Sequence, residues 1–260
     1  MTQAGPCRVA FVWSEHFEEF DNGSNHPVKQ GRFRAVREYL ISQGFFEAPN
    51  VTELCPAPLP EDLLSVIHTS DYVTRIREIS RTGRGDVDID TPGYVGIYDT
   101  ALWTCGGTVS GVDAILSGEI DHFVSPTGGF HHAFRDRGGG FCVFNDVAAA
   151  VYLLRRRGLS RILILDLDVH HGNGVQSYFL SDPDVMYISM HGEPEWTYPH
   201  TGRVDEIGEG PGRGYTVNIP VPMDSGDDVF LHLFNELVMP LVNFFGPEFI
   251  LFLPGLDTHY

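Results

Sequence analysis

Asp166-Leu167-Asp168-Val169-His170-His171 follows directly on the run Arg161-Ile162-Leu163-Ile164-Leu165. The run has the composition of a buried parallel strand. Carboxylates and imidazoles at the end of such a strand are costly to bury unless they bind something. Asp168 and His170 are two residues apart, so a continuing strand would point both to one side. One oxygen and one nitrogen ligand would then be offered to a divalent transition metal, with Asp166, of the same parity, in support. Taken alone, the spacing also describes an exposed polar strand end before the turn Gly172-Asn173-Gly174.

Two further groups decide between these readings. Leu256-Asp257-Thr258-His259 follows another apolar run and Pro254-Gly255. Asp257 would complete a set of two carboxylates and one imidazole, which leaves a position open for water, as catalytic metal sites do. On its own, Asp257 reads more readily as a loop carboxylate capping a turn; beside Asp168 and His170 the ligand reading prevails. His131 and His132 lie in Pro126-Thr127-Gly128-Gly129-Phe130-His131-His132-Ala133. Imidazoles titrate near neutrality, so one of an adjacent pair can carry a proton while the other acts as its electrostatic partner. The plainer reading, a solvated pair in a loose loop, fits poorly with the flanking glycines and aromatics.

The elements that must position these groups are legible from the pattern. Strands are expected at Arg8 to Trp13, Asp121 to Ser125, Ile162 to Asp168, Val185 to Met190, Tyr215 to Val221 and Phe249 to Leu253, the last one buried. Helices are expected at Gly31 to Gln43 before a C′ Gly44, near Leu63 to His68, from a Ser70 or Asp71 cap to about Ser80, and at Tyr94 to Leu116. Further helices run from an Asn145 cap to Arg157, near Val175 to Leu180, and over Asp227 to Phe245. Gly106, Gly107 and Gly111 imply close packing of their helix. Alternating strands and helices argue for an α/β fold with a mostly parallel central sheet. In such sheets ligands collect outside the carboxyl ends of the strands; His131, His132, Asp166, Asp168, His170, His191 and Asp257 are all expected there. With no repeat or convincing linker, residues 1–260 are expected to form a single catalytic domain.

Composition bounds the rest. Of 260 residues, 42% are hydrophobic, enough for a core. No window approaches about 18 continuous apolar residues, so no membrane span is expected. The start lacks the basic and apolar regions of a secretory signal. Cys7, Cys55, Cys105 and Cys142 lie far apart, which suits reduced thiols and a cytoplasmic location. A formal net charge of -18 disfavours direct nucleic-acid binding and suits a cationic partner.

The motifs Gly-Gly-Phe-His-His-Ala, Gly-Gly-Phe-Cys-Val-Phe-Asn-Asp and Asp-Leu-Asp-Val-His-His-Gly-Asn-Gly-Val-Gln occur in that order. Together they resemble the histone deacetylase superfamily, with its acetylpolyamine amidohydrolases and acetoin-utilisation-type deacetylases, from His26-Pro27 to Asp257. The resemblance implies an arginase/deacetylase-like three-layer α/β fold and zinc-dependent hydrolysis of N-acetyl amides, with Fe2+ an alternative metal. It implies Asp168, His170 and Asp257 as metal ligands. His131 and His132 would be the catalytic pair, with His132 the general base and acid, Asp166 behind His131 and Asn173 behind His132. Asp166, Asp168, His170, Ser189 and Met190 match a structural K+ or Na+ site. Phe141 and Tyr198 match the walls of a substrate channel, Gly140 its backbone contact, and Asp90 a rim carboxylate that holds substrate. Arg32 matches an arginine of an internal acetate-release region. Acetylated polyamine, acetyl-lysine peptide or a small acetylated metabolite is the implied substrate, and a homo-oligomer is compatible with the pattern. Beside these roles, Phe141 and Tyr198 also read as ordinary core aromatics, Cys142 as a small buried hydrophobe and Asp90 as an Asx turn.

The chain departs from the family pattern in places. Asn173 replaces an aspartate found in some members, and an asparagine holds an imidazolium less firmly. Tyr-Pro-His-Thr-Gly at 198–202, Gln30-Gly31 before Arg32, and Pro254-Gly255-Leu256 also differ. The family's catalytic tyrosine lies in a Gly-rich loop well beyond the third metal ligand. Tyr260 is only three residues past Asp257 and is not expected to be that residue, so a truncated member is expected. Two rival functions follow: a non-catalytic acyl-lysine-binding relative and a binuclear manganese ureohydrolase.

Overall fold

The computed structural model describes residues 6–21, 23, 26 and 28–257; Pro27 and Tyr260 lie outside them. The chain divides into two compact units, residues 1–153 and 154–260.

The first unit carries a three-stranded sheet of β1 (Val9–Val12), β2 (Val51–Leu54) and β3 (His122–Val124) in the order β2-β1-β3, all parallel. β2 escapes the sequence pattern: it is a four-residue edge strand between Pro49 and Pro56 with no fully buried residue. α1 (Arg32–Ser42), α2 (Glu61–Ile67), α3 (Ser70–Thr82) and α4 (Ile97–Leu116) follow the expected helices. The cap of α3 is Thr69, whose hydroxyl accepts from Tyr72 N, rather than Ser70 or Asp71. α4 begins at Ile97, three residues later than expected, because Gly96 enters it with φ +95°. Its small residues are needed: a Cβ on Gly107 would lie 3.2 Å from the Phe17 ring, and one on Gly111 would overlap the Phe123 ring. α5 (Asp146–Arg156) opens on Asn145, whose Oδ1 accepts from Ala148 N at 2.8 Å, as an N-cap should.

The second unit carries β4 (Ile162–Asp166), β5 (Val185–Gly192), β6 (Thr216–Val221) and β7 (Phe249–Leu253), again all parallel, in the order β6-β5-β4-β7. β4 is buried along its whole length, which accounts for its uninterrupted Ile-Leu-Ile-Leu run. β7 was expected to be buried too, but it is an edge strand with Ile250 and Phe252 exposed and Leu251 and Leu253 buried. Leu163, Leu165, Met186, Ile188, Met190 and Ile219 form the core of this unit. Each such side chain contributes roughly 1.5–3 kcal/mol by leaving water.

α6 (Asn173–Phe179) follows β4, and α7 (Asp227–Leu233) and α8 (Met239–Phe245) are joined by a π-helical stretch over Phe234–Val238. Met239 N reaches back five residues to Phe234 O. Pro240 explains the widened turn, because it has no N–H to donate and its ring would collide with the carbonyl four residues before it. On length and composition alone, Asp227–Phe245 is long and apolar enough to cross a membrane, contrary to the expectation of no such span, because scattered polar residues interrupt its apolar run. In the fold Phe230, Leu233, Phe234, Leu241 and Val242 of this segment pack against the sheet core.

Candidate metal centre and dihistidine loop

β4 and β7 are parallel neighbours, with Asp166 opposite Leu253 and Leu167 N donating to Leu253 O at 2.8 Å. Their chain ends therefore leave the sheet side by side, which brings the Asp168–His170 turn to Asp257. The expected strand continuation does not occur: β4 stops at Asp166, and the Asp168-x-His170 pair lies in a turn. Their proximity comes from Asp168 Oδ1 accepting from His170 N at 2.8 Å, an Asx turn. His191, expected past a strand end, lies inside β5.

Nδ1 of His170 lies 3.1 Å from Asp168 Oδ1 and 2.9 Å from Asp257 Oδ2. The other Asp257 oxygen accepts from Val169 N at 3.2 Å, which fixes that carboxylate on the turn. Gly255 is required here, for its φ is +52° and a Cβ on it would lie 2.8 Å from Asp168 Cβ. One donor atom from each of Asp168, His170 and Asp257 lies within 4.8 Å of the others. Shared between two carboxylates, with Asp168 contributing most, a proton on Nδ1 is held up to a pKa of about 9. That point in space favours a cation, and two carboxylate oxygens with one imidazole nitrogen are the donors a divalent metal takes. The donor set therefore fits the implied metal.

Asp166 is fully buried, accepting from Tyr187 OH at 3.0 Å and from Asp168 N at 3.3 Å. Ser189, its register partner on β5, and Met190 are also buried. Ser189 Oγ meets His191 Nδ1 at 2.8 Å, while His191 Nε2 lies 2.9 Å from Gly202 O. Burial lowers the pKa of His191. Asn173 is the first residue of α6, and its Oδ1 accepts from Gly174 N. Tyr198 stands partly exposed with its ring edge-on to that of His170, centroids 6.1 Å apart.

In the first unit, the loop after β3 carries His131 and His132, both buried, with ring centroids 4.1 Å apart. The loop is built rather than solvated. Asp146 Oδ2 accepts from Thr108 Oγ1 at 2.6 Å and from Gly129 N at 2.9 Å, and its Oδ1 accepts from Phe130 N at 2.7 Å. Burial pushes the Asp146 carboxyl up, while these donors pull it back toward the ionised form. Asn145 Nδ2 donates to Ala133 O at 2.8 Å. His68 Nε2 accepts from Asn145 N at 3.1 Å, which leaves its proton on Nδ1, facing Arg135 O at 3.3 Å. Burial holds His68 down at about 4.

Gly140 and Phe141 both take positive φ, +54° and +68°. Asp90 Oδ1 accepts from Gly140 N at 3.0 Å, and Thr91 Oγ1 accepts from Phe141 N at 3.0 Å while donating to Asp90 at 2.9 Å. Asp90 thus holds the loop before Phe141. Phe141 is half-buried, with the His26 ring against it at 4.3 Å. Arg32 is exposed at the first turn of α1. Thr91, Thr108, His68 and Asp146 were not singled out from the sequence; only Asp146 lay within a quoted motif.

The histone deacetylase domain matches residues 26–260. A probable deacetylase of Archaeoglobus fulgidus is 38% identical over 256 residues, covering 97% of this chain and 70% of that protein. The acetoin utilization protein AcuC of Bacillus subtilis is 32% identical, over 96% of this chain and 66% of its own length. Among solved structures, an HDAC homologue from Aquifex aeolicus aligns with a TM-score of 0.85 at 29% identity, over 94% of this chain and 68% of its own. The HD domain of HDA15 aligns at 0.88, also at 29% identity, over 98% and 73%. The α/β fold of parallel strands and helices expected from the motifs is thus shared with these solved structures, and the chain belongs to the histone deacetylase family, hydrolases that act on amides.

Proposed function

We propose that this chain carries the metal-dependent amide hydrolysis of its family, removing acetyl groups from acetylated amines, with zinc as the metal and Fe2+ as its substitute. The observation that carries this reading is the convergence of Asp168, His170 and Asp257 on one point. A bound metal would supply Lewis acidity and a more acidic water. Asp168 and Asp257 hold His170 by its Nδ1, so the imidazole is oriented before any cation arrives. His132 is assigned the proton-carrying role and His131 that of its electrostatic partner; burial and ring contact keep both imidazoles out of bulk water. Asp166 and Asn173 keep their assigned supporting roles. Phe141 and Tyr198 are assigned to a slim acyl-amine chain, Gly140 and Asp90 to its polar contacts. K+ or Na+ at Asp166, Asp168, His170, Ser189 and Met190 belongs to the same proposal.

One solved neighbour is an HDAC homologue complexed with SAHA, which supports a small-molecule ligand for a site of this fold. The net charge of -18 favours a cationic amine, such as an acetyl-lysine peptide or an acetylpolyamine, over a neutral metabolite. The binuclear ureohydrolase reading needs a second metal-ligand cluster, and the described residues hold one such cluster of three.

The test is release of acetate from acetyl-lysine peptide and N-acetylputrescine by the purified chain with stoichiometric Zn2+, compared with Asp168→Ala and His132→Ala. Turnover by the parent and loss in both variants is expected. Equal rates in all three would overturn the assignment.

A further inference from the structure

We propose that the consecutive residues Asn145 and Asp146 are positioning residues for the dihistidine, gripping both ends of the segment that carries it. The proposal deepens the hydrolysis reading and rests on it for the roles of His131 and His132.

The segment at issue is Gly129-Phe130-His131-His132-Ala133. Ahead of the pair, the Asp146 carboxylate takes the Gly129 and Phe130 N–H groups on separate oxygens, at 2.9 and 2.7 Å. Behind it, Asn145 Nδ2 holds Ala133 O at 2.8 Å. Two adjacent side chains thus fix the backbone on either side of two imidazoles, and within the segment His131 N donates to Gly129 O at 2.8 Å. Both anchors have no exposed surface. A buried carboxylate is costly unless its hydrogen-bonding capacity is filled, and Thr108 Oγ1 supplies a third donor at 2.6 Å.

The anchors are themselves held. Asn145 Oδ1 caps α5 through Ala148 N, and its own N–H donates to His68 Nε2 at 3.1 Å. The start of a helix is a rigid base for both anchors, since its backbone is fixed by the turns that follow. No room exists for a bulkier turn: a Cβ on Gly128 would come within 2.6 Å of Thr108 Oγ1 and 3.1 Å of Asp146 Oδ2. Asn145 serves the helix and the loop with different atoms of one amide. Capping alone would be met by aspartate, but holding Ala133 O needs the amide N–H.

That difference gives the test. Asn145→Asp keeps the cap and replaces the donor to Ala133 O with an acceptor; Asp146→Asn keeps the size and turns an N–H toward the Gly129 N–H. Ile76→Val, in the buried face of α3, is the control for general loosening of the same unit. Each is compared with the parent for zinc affinity, kcat and KM on acetyl-lysine peptide, and imidazole 15N shifts. Because small displacements of catalytic groups cost about 10²-fold in rate, kcat is expected to fall about ten- to a hundredfold in Asn145→Asp and Asp146→Asn. KM and zinc affinity should stay within about threefold, as the interactions lost hold groups used in the transition state rather than in ground-state binding. The His131 and His132 ring signals should move in both variants and stay in place in Ile76→Val. Parent-like kcat with unmoved ring signals in Asn145→Asp, or an equal kcat loss in Ile76→Val, overturns the proposal. Should Asp146→Asn not fold, Thr108→Val removes one donor and carries that arm. If the parent itself releases no acetate, the hydrolysis reading fails, while the ring signals still decide whether Asn145 and Asp146 position the pair.

Discussion

Gly140 packs its backbone against the ring of His132. A Cβ at position 140 would lie 2.7 Å from Cγ of that imidazole and 3.1 Å from its Cβ. The glycine also holds φ at +54°, where a side chain is strained whatever the space. Gly140→Ala therefore has two costs, a left-handed backbone and a displaced imidazole. We expect a loss of stability of about 1–3 kcal/mol in urea unfolding and a fall in kcat of about 10²-fold at unchanged zinc affinity. A variant that unfolds like the parent and keeps its rate would show that the His132 ring accommodates the methyl.

The His170 imidazole sets up a competition between proton and metal. With its pKa held up to about 9 by Asp168 and Asp257, the ring is charged at neutral pH in the metal-free chain, whereas a metal needs the neutral ring. Loading should release close to one proton per chain at pH 7, visible in calorimetry as a heat that depends on the ionisation enthalpy of the buffer. Affinity should rise about tenfold per pH unit below 9 and flatten above it. The same shift acts on the stability of the metal-free chain with the opposite slope. The folded pKa lies above the ordinary 6.5, so the contribution is full below about 6.5 and is lost as pH rises through about 9. Asp257→Asn should reduce the proton release, and buffer-independent loading by the parent would contradict it.

How much of this was legible in the sequence varies with the physics. β4 and β5, buried on both faces, betray themselves by unbroken apolar runs, and their limits are close to expectation. The edge strands do not: β2 has no buried residue and was missed, and β7 alternates although it was expected to be buried. Asp168 and His170 were paired for the wrong reason. Strand parity suggested it, but the chain turns at Asp166, and the Asx turn makes the pair. What no local pattern can show is a partner far along the chain. Thr91 sits 50 residues from Phe141 and His68 lies 77 from Asn145, so their roles appear only when the fold brings them together.

His68 makes the first unit acid-sensitive. Burial holds its pKa down at about 4, and a second proton would also have to displace the bond that Nε2 accepts from Asn145 N. The depressed value means the unfolded chain binds the proton first. Stability from this group is present above about pH 6.5 and is lost progressively as pH falls toward 4. A shift of this size corresponds to about 3 kcal/mol. Urea midpoints between pH 7 and 4 should fall less steeply in His68→Gln than in the parent, although the variant starts lower at pH 7. Parallel slopes would mean that His68 protonates without cost.

Thr91 holds Phe141 in a backbone conformation that a phenylalanine rarely takes. Its hydroxyl accepts from Phe141 N while donating to Asp90, which in turn accepts from Gly140 N. Phe141 stays at φ +68° because both peptide N–H groups of the turn are occupied. Such strain persists only where surrounding bonds over-determine it. Thr91→Val removes the acceptor and preserves the shape, leaving the Phe141 N–H without its partner, at about 1–3 kcal/mol. Relaxation of the turn would move the aromatic wall assigned to the acyl-amine chain. We expect KM for acetyl-lysine peptide to rise about three- to tenfold with kcat changed less, since wall contacts bind ground and transition states alike. Thr91→Ser, which keeps the hydroxyl, should restore KM. A valine variant with parent KM would place the control of Phe141 elsewhere in the loop.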